Sequence, residues 1–196
     1  MAIGFQTQLI SGRVPEHEPP TVRDRSDIKG VVVHRIEVSQ EDGAYTDSPH
    51  DTARFFTEHP IGIQATGGSM PYPLLIDRDG QVTQMVPLAY VTPHAKSHNP
   101  STVGVACIGD FRTTPLSPAQ RQALKMVCAQ LLAVFDLETD TLRGHDELTE
   151  ASSDPNKECP GHCLSMDGLR GEVKEIVVDQ ARNMFPLVWN KGDPLQ

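Results

Sequence analysis

His34, His145 and Cys159 are the residues of this 196-residue chain whose types could together hold a metal ion. His34 ends the apolar run VVVH, His145 follows TLRG, and Cys159 lies in NKECPGHC, residues 156–163. Two imidazoles and a thiolate suit Zn²⁺, a borderline-soft ion that takes nitrogen and sulfur in tetrahedral sites. Three protein ligands leave the fourth position to water, as in catalytic rather than structural sites, and the ion brings the pKa of that water toward neutrality. Spacing alone does not single this reading out. The three residues lie far apart and form no local metal signature. A histidine beside a strand is commonly an edge residue held by hydrogen bonds, and Cys159 with Cys163 could close a small disulfide loop. All three readings stay open at this point.

The elements around these residues are legible as alternating strands and helices. KGVVVHRIEV (29–38) is a short run of β-branched residues and reads as a buried strand. SPHDTARFFTEH (48–59) reads as a helix capped by Asp47 or Ser48. IGIQATGGSM (61–70) reads as a loop. YPLLIDRDGQVTQMV (72–86) reads as a hairpin with Asp79-Gly80 at its tight turn. VGVACIGDF (103–111) is a second buried strand. LSPAQRQALKMVCAQLLAVFDL (116–137) is the clearest helix, with Ser117 as cap, Pro118 in the first turn and apolar residues at helical spacing. DTLRGHDEL (140–148) reads as a strand end running into a loop, and 165–185 as one closing helix. Strands interleaved with helices give an α/β class: a single domain with a mixed central β-sheet flanked by helices. Residues 1–27, broken by Pro15, Pro19 and Pro20, read as an irregular N-terminal arm, with the catalytic domain over 28–196.

Composition narrows the partners. A hydrophobic share of 38% supports a core, and a net charge of −9 argues against a nucleic-acid binder or adhesion to an anionic membrane. The N-terminus shows neither a basic leader nor an apolar run, and no stretch is long enough to cross a bilayer, so synthesis in the cytoplasm without membrane insertion is expected. In that compartment four cysteines are buried thiols, ligands or nucleophiles more readily than a disulfide framework. Cys107 in a strand and Cys128 on the core side of the long helix read as small buried hydrophobes.

Taken in order, VVVHRIE, YPLLIDRDGQV, HAKSHNPSTVGVACIGDF, RGHDEL and KECPG resemble the zinc-dependent N-acetylmuramoyl-L-alanine amidases. That superfamily includes the amidase-type phage lysozymes and the peptidoglycan recognition proteins. The resemblance runs from residue 29 to residue 185, outside the N-terminal arm. It implies that His34, His145 and Cys159 are the zinc ligands. Cytoplasmic recycling amidases carry Asp at the third position, so Cys159 resembles the phage and recognition-protein branch. Recognition proteins that bind without cleaving typically lack this Cys. The resemblance also implies that Tyr72 hydrogen-bonds the attacking water or steadies the developing oxyanion. It implies that Lys157 stabilises the tetrahedral intermediate, and that His94 contacts substrate or supports a ligand from behind. His98 and His162 read as surface residues.

Two departures stand out. The segment from His145 to Cys159 looks longer than its counterpart in compact relatives and would form an extra lip on the cleft. Tyr72 stands between Pro71 and Pro73, so its strand is expected to start at a sheet edge or a bulge. The activity implied is hydrolysis of the amide bond between N-acetylmuramic acid and L-alanine, with zinc as cofactor and peptidoglycan as partner. A monomer is expected. The implied role is a phage or prophage endolysin that reaches the wall after a holin opens the inner membrane. The alternatives are a cytoplasmic muropeptide-recycling amidase and a peptidoglycan-binding module without turnover.

Overall fold

The run GVVVHRI carries β-branched residues at successive positions, as a strand covered on both faces requires, and Gly30–Ile36 is that strand, β2. A computed structural model describes residues 5–7, 21–36, 48–148, 158–176, 178–190 and 193–194. The further strands of the main sheet are β1 (Phe5–Thr7), β3 (Leu74–Ile76), β4 (Val82–Gln84), β5 (Thr102–Ile108) and β6 (Leu142–Gly144). They lie in the order β1–β4–β3–β5–β2–β6, all neighbours parallel except the β3–β4 hairpin. The class is the expected one: α/β, with a mixed sheet flanked by helices.

Alternation along β2 sorts the core into two layers. Val31 and Val33 face a large cluster with Leu74, Ile76, Val105, Cys107 and the long helix α3 (Pro118–Phe135). Ile36 faces a smaller cluster with Leu75, Ala106, Phe55 and Phe56. His34 shares this second face and sits in register with Ala106. Within α3, Leu124, Val127, Cys128 and Leu131 are fully buried. Each large apolar side chain so buried is worth about 1.5–3 kcal/mol, which outweighs the ~1 kcal/mol of the Ser117 cap. Packing holds this helix and the capping box of Ser117 and Gln120 sets where it starts.

The structure differs from expectation in four places. Residues 61–70 contain a helix, α2 (Pro60–Thr66), which follows α1 (Pro49–Glu58) directly. The glycines and β-branched residues signal a loop, but His59 caps the helix and Gly67 ends it at φ 68°. Gly62 lets it fold back on α1, because a Cβ there would stand 2.1 Å from the Phe55 carbonyl oxygen. Second, of the edge and the bulge expected where the Tyr72 strand starts, the edge fails: β3 lies between β4 and β5. The bulge is there: just before the first strand residue the Pro73 carbonyl accepts both the Met85 and the Val86 N–H, at 2.8 and 3.5 Å, two partner residues against one.

Third, the closing helix is two: α4 (Met166–Lys174) and α5 (Val178–Ala181). A straight helix over that span would run about 30 Å. The break at Glu175–Ile176 instead returns Ala181, Phe185, Leu187 and Trp189 to the large cluster. Two buried glutamines hold this tail. Gln130 exchanges both amide bonds with the Phe185 backbone at 2.8 Å, and Gln84 does the same with Val188 at 2.7 and 2.8 Å. The tail then adds the two-stranded ribbon β7 (Val188–Asn190) and β8 (Asp193–Pro194). Fourth, the N-terminal arm is not irregular throughout. β1 pairs with the outer side of β4, Val22 bridges Tyr90, and Arg23 is buried. An open strand edge offers unpaired backbone groups, and β1 uses them. The three prolines lie outside the described residues.

Candidate metal centre

His34, His145 and Cys159, distant in sequence, meet at one end of the sheet. One ligand atom from each lies within 4.8 Å of the other two, and all three residues are buried. His34 projects from β2. His145 opens the 3₁₀ turn His145–Glu147 directly after β6, the strand beside β2. That turn is pinned from outside: Glu147 accepts the Gly144 N–H at 2.9 Å and a two-point bond from Arg170, which also reaches the Leu142 carbonyl. The Arg170 bond holds the Glu147 carboxyl below its ordinary range. Cys159 arrives on a loop whose carbonyl takes the Asp146 N–H at 2.7 Å, so the backbone ties two candidate ligands together.

The donor set fits a borderline-soft divalent ion, and the proton pattern behind His34 fits as well. His34 Nε2 lies 3.1 Å from His94 Nδ1, and His94 Nε2 lies 3.2 Å from the Thr102 carbonyl oxygen. A carbonyl only accepts, so His94 Nε2 carries a hydrogen. The Thr102 hydroxyl gives its hydrogen to the His98 carbonyl at 2.7 Å and can likewise only accept from His94. Burial, with the Arg23 cation nearby, pushes the His94 pKa down to about 3, so the ring is neutral and its Nδ1 accepts. His34 therefore donates through Nε2 and keeps a lone pair on Nδ1, which faces the Cys159 sulfur at 3.8 Å. Gly104 makes this stack possible, since a Cβ there would stand 2.9 Å from the His94 ring.

The remaining candidates fall as follows. Tyr72 is half-buried, with its ring centroid 5.0 Å from that of His34. His94 has both ring nitrogens engaged inside the protein and is 5% exposed, which leaves it no ring nitrogen for a substrate. Lys157 and most of the segment between His145 and Cys159 lie outside the described residues. His98 is half-buried; His162 is exposed and pairs with Glu158 at 3.2 Å. None of the four cysteines is in a disulfide, which overturns the Cys159–Cys163 pairing. Cys163 instead packs at the edge of the large cluster while its N–H binds the Phe111 carbonyl. Sequence reasoning missed Arg23, Asp146, Glu147 and Arg170. Only Gly104, a small residue inside an apolar strand, signals a close approach in advance.

The profile of the N-acetylmuramoyl-L-alanine amidase family matches residues 24–162, most of the chain. The chain belongs to that family. Solved structures share this amidase fold at low identity. The Ph2119 endolysin from the Thermus scotoductus MAT2119 bacteriophage is 20% identical, at a TM-score of 0.63 over 86% of this chain and 98% of its own. The amidase LysC from Clostridium intestinale is 19% identical, at a TM-score of 0.60 over 80% and 91%. Peptidoglycan recognition protein LE, solved in complex with tracheal cytotoxin, a monomeric diaminopimelic acid-type peptidoglycan, is 18% identical, at a TM-score of 0.57 over 77% and 84%. Among curated proteins no relative matches the chain. Among the described residues of this chain no helix is long and apolar enough to cross a membrane.

Proposed function

We propose that the chain hydrolyses the amide bond between N-acetylmuramic acid and L-alanine in peptidoglycan, with zinc as its cofactor. The observation that carries the proposal is the buried His34–His145–Cys159 group inside an amidase-family fold. A zinc ion held by these three side chains supplies Lewis acidity and a water that ionises near neutral pH. His34 and His145 meet the ion as neutral imidazoles and Cys159 as a thiolate. His94 keeps the His34 lone pair directed inward. Tyr72, beside the His34 ring, offers a phenol to the oxygen on which charge develops. Lys157, two positions before Cys159 in the chain, adds an ammonium for the same charge. Water adds to the lactyl carbonyl carbon, the carbon–nitrogen bond breaks, and the L-alanine amine leaves on the stem peptide.

The role we propose is that of an endolysin acting on the wall after the inner membrane is opened, in keeping with the endolysin among the structures that share the fold. Metal analysis of the purified protein and of Cys159→Ser, paired with release of stem peptide from sacculi, tests the reading. About one zinc per chain is expected in the wild type, with zinc and release both lost in the variant. Full release by a variant without metal refutes the mechanism. Zinc-loaded protein that binds sacculi and releases nothing is a binding module. Cleavage of soluble muropeptides alone points to a recycling role.

A further inference from the structure

The peptide groups on both sides of Cys159 are held, and each is held by the residue that follows one of the two histidines. Asp146, after His145, gives its N–H to the Cys159 carbonyl at 2.7 Å. Arg35, after His34, gives its Nε–H to the Glu158 carbonyl at 2.9 Å. Arg35 leaves β2 on the face opposite His34, so the Glu158–Cys159 step crosses the end of that strand. The Arg35 side chain is only 11% exposed, and its Nη1 lies 3.3 Å from Asp110 Oδ1, just past the end of β5. Asp110 is gripped in turn by Arg112 at 2.8 and 3.0 Å. The loop is seated on the same stretch by the Cys163 N–H on the Phe111 carbonyl. Gly161 completes the seat, because a Cβ there would meet the Phe111 carbonyl at 2.6 Å.

A cysteine ligand has one rotatable bond between backbone and sulfur, so an error in peptide orientation passes almost undamped to Sγ. A planar guanidinium can serve the Glu158 carbonyl with Nε and the Asp110 carboxylate with Nη1 at once, which a lysine ammonium does not reproduce. We propose that Arg35 is a positioning residue for Cys159: it orients the peptide preceding the thiolate ligand and couples that loop to the strand carrying His34. The proposal rests on the metal-site reading above.

The test is titration of cobalt(II) into metal-free wild type, Arg35→Met, Arg35→Lys and Asp110→Asn, read by the thiolate-to-cobalt charge-transfer band and by affinity. Neither readout involves turnover. Arg35→Met is expected to lose about 10–100-fold in cobalt affinity and to show a weaker thiolate band per bound cobalt. Arg35→Lys should restore part of both, and Asp110→Asn, which leaves the bond to Glu158, should lose less than Arg35→Met. Thermal melting of the metal-free proteins separates this from misfolding. If Arg35→Met does not fold, Arg35→Lys carries the test, with a loss in the same direction expected. Wild-type affinity and band in the folded Arg35 variants overturn the proposal. A wild type that takes up no cobalt overturns the metal-site reading and this proposal together.

Discussion

His94 Nδ1 stands 3.1 Å from His34 Nε2, and its other ring nitrogen is committed to the Thr102 carbonyl. The donors thus run from His34 through His94 to a buried carbonyl, which leaves the His34 lone pair on Nδ1, beside Cys159. Ligand basicity and ring orientation are commonly set by such partners.

In the metal-free protein, His34 should therefore be the Nε2–H tautomer, readable from imidazole ¹⁵N shifts. His94→Leu removes the acceptor, and the expected result is mixed tautomers with zinc affinity down by about 10–100-fold. His94→Gln can accept from His34 and donate to Thr102, so it should recover most of the affinity. A wild-type tautomer and affinity in His94→Leu would count against the relay.

Gly104 is the floor under His94. Gly104→Ala puts a methyl 2.9 Å from the ring's Cγ and Nδ1. The ring is held at both nitrogens and cannot swing aside cheaply, so a stability loss of about 1–3 kcal/mol is expected. Chemical denaturation of the metal-free protein measures that loss, and chelator competition should show weaker zinc binding alongside it.

The Glu147–Arg170 pair predicts an acid limb in stability. Its bond to Arg170 lowers the Glu147 pKa in the folded protein below the ordinary value of 4.5. A group with a depressed folded pKa contributes above its unfolded pKa and loses that contribution as pH falls through the folded one. Melting of the metal-free wild type should fall more steeply below pH 4.5 than that of Glu147→Gln. The difference should shrink with added salt, because the pair is partly exposed.

Gln130 is expected to matter for stability and not for the site. Gln130→Leu removes the side-chain acceptor of the Phe185 N–H and one of two donors to its carbonyl, which keeps the Leu187 N–H at 2.8 Å; the lost bonds cost about 1–3 kcal/mol. Zinc affinity should stay at the wild-type value, as seen by the same chelator competition. A coupled loss would mean that the C-terminal tail reaches the metal centre.

The strands around His34 and Cys107, the Asp77–Gln81 hairpin turn and the long helix are visible in the sequence because each carries its own pattern: β-branched runs, an Asp-Gly turn, a capping box. The three metal-binding candidates are visible in the sequence as one reading among three, and only the resemblance selects it, since no local spacing joins them. Helix α2 is hidden because Gly62 breaks the local rule in order to touch Phe55, a tertiary fact. Arg23 is hidden for a similar reason. It sits in a stretch that looks unstructured, yet its guanidinium reaches the carbonyls of Leu88, Asn99, Pro100 and Thr102. Burial lowers its pKa to about 10, still well above neutrality. Nothing in a one-dimensional pattern announces which carbonyls will need such a cation.

The Asp146–Cys159 backbone bond has an evolutionary consequence. It ties the backbone beside His145 to Cys159, so these two candidate ligands keep their spacing whatever length of chain connects them. Doubling such a closed loop costs only about 0.6 kcal/mol in entropy. Lineages can therefore lengthen, shorten or rewrite the stretch between His145 and Cys159 without moving the two candidate ligands apart.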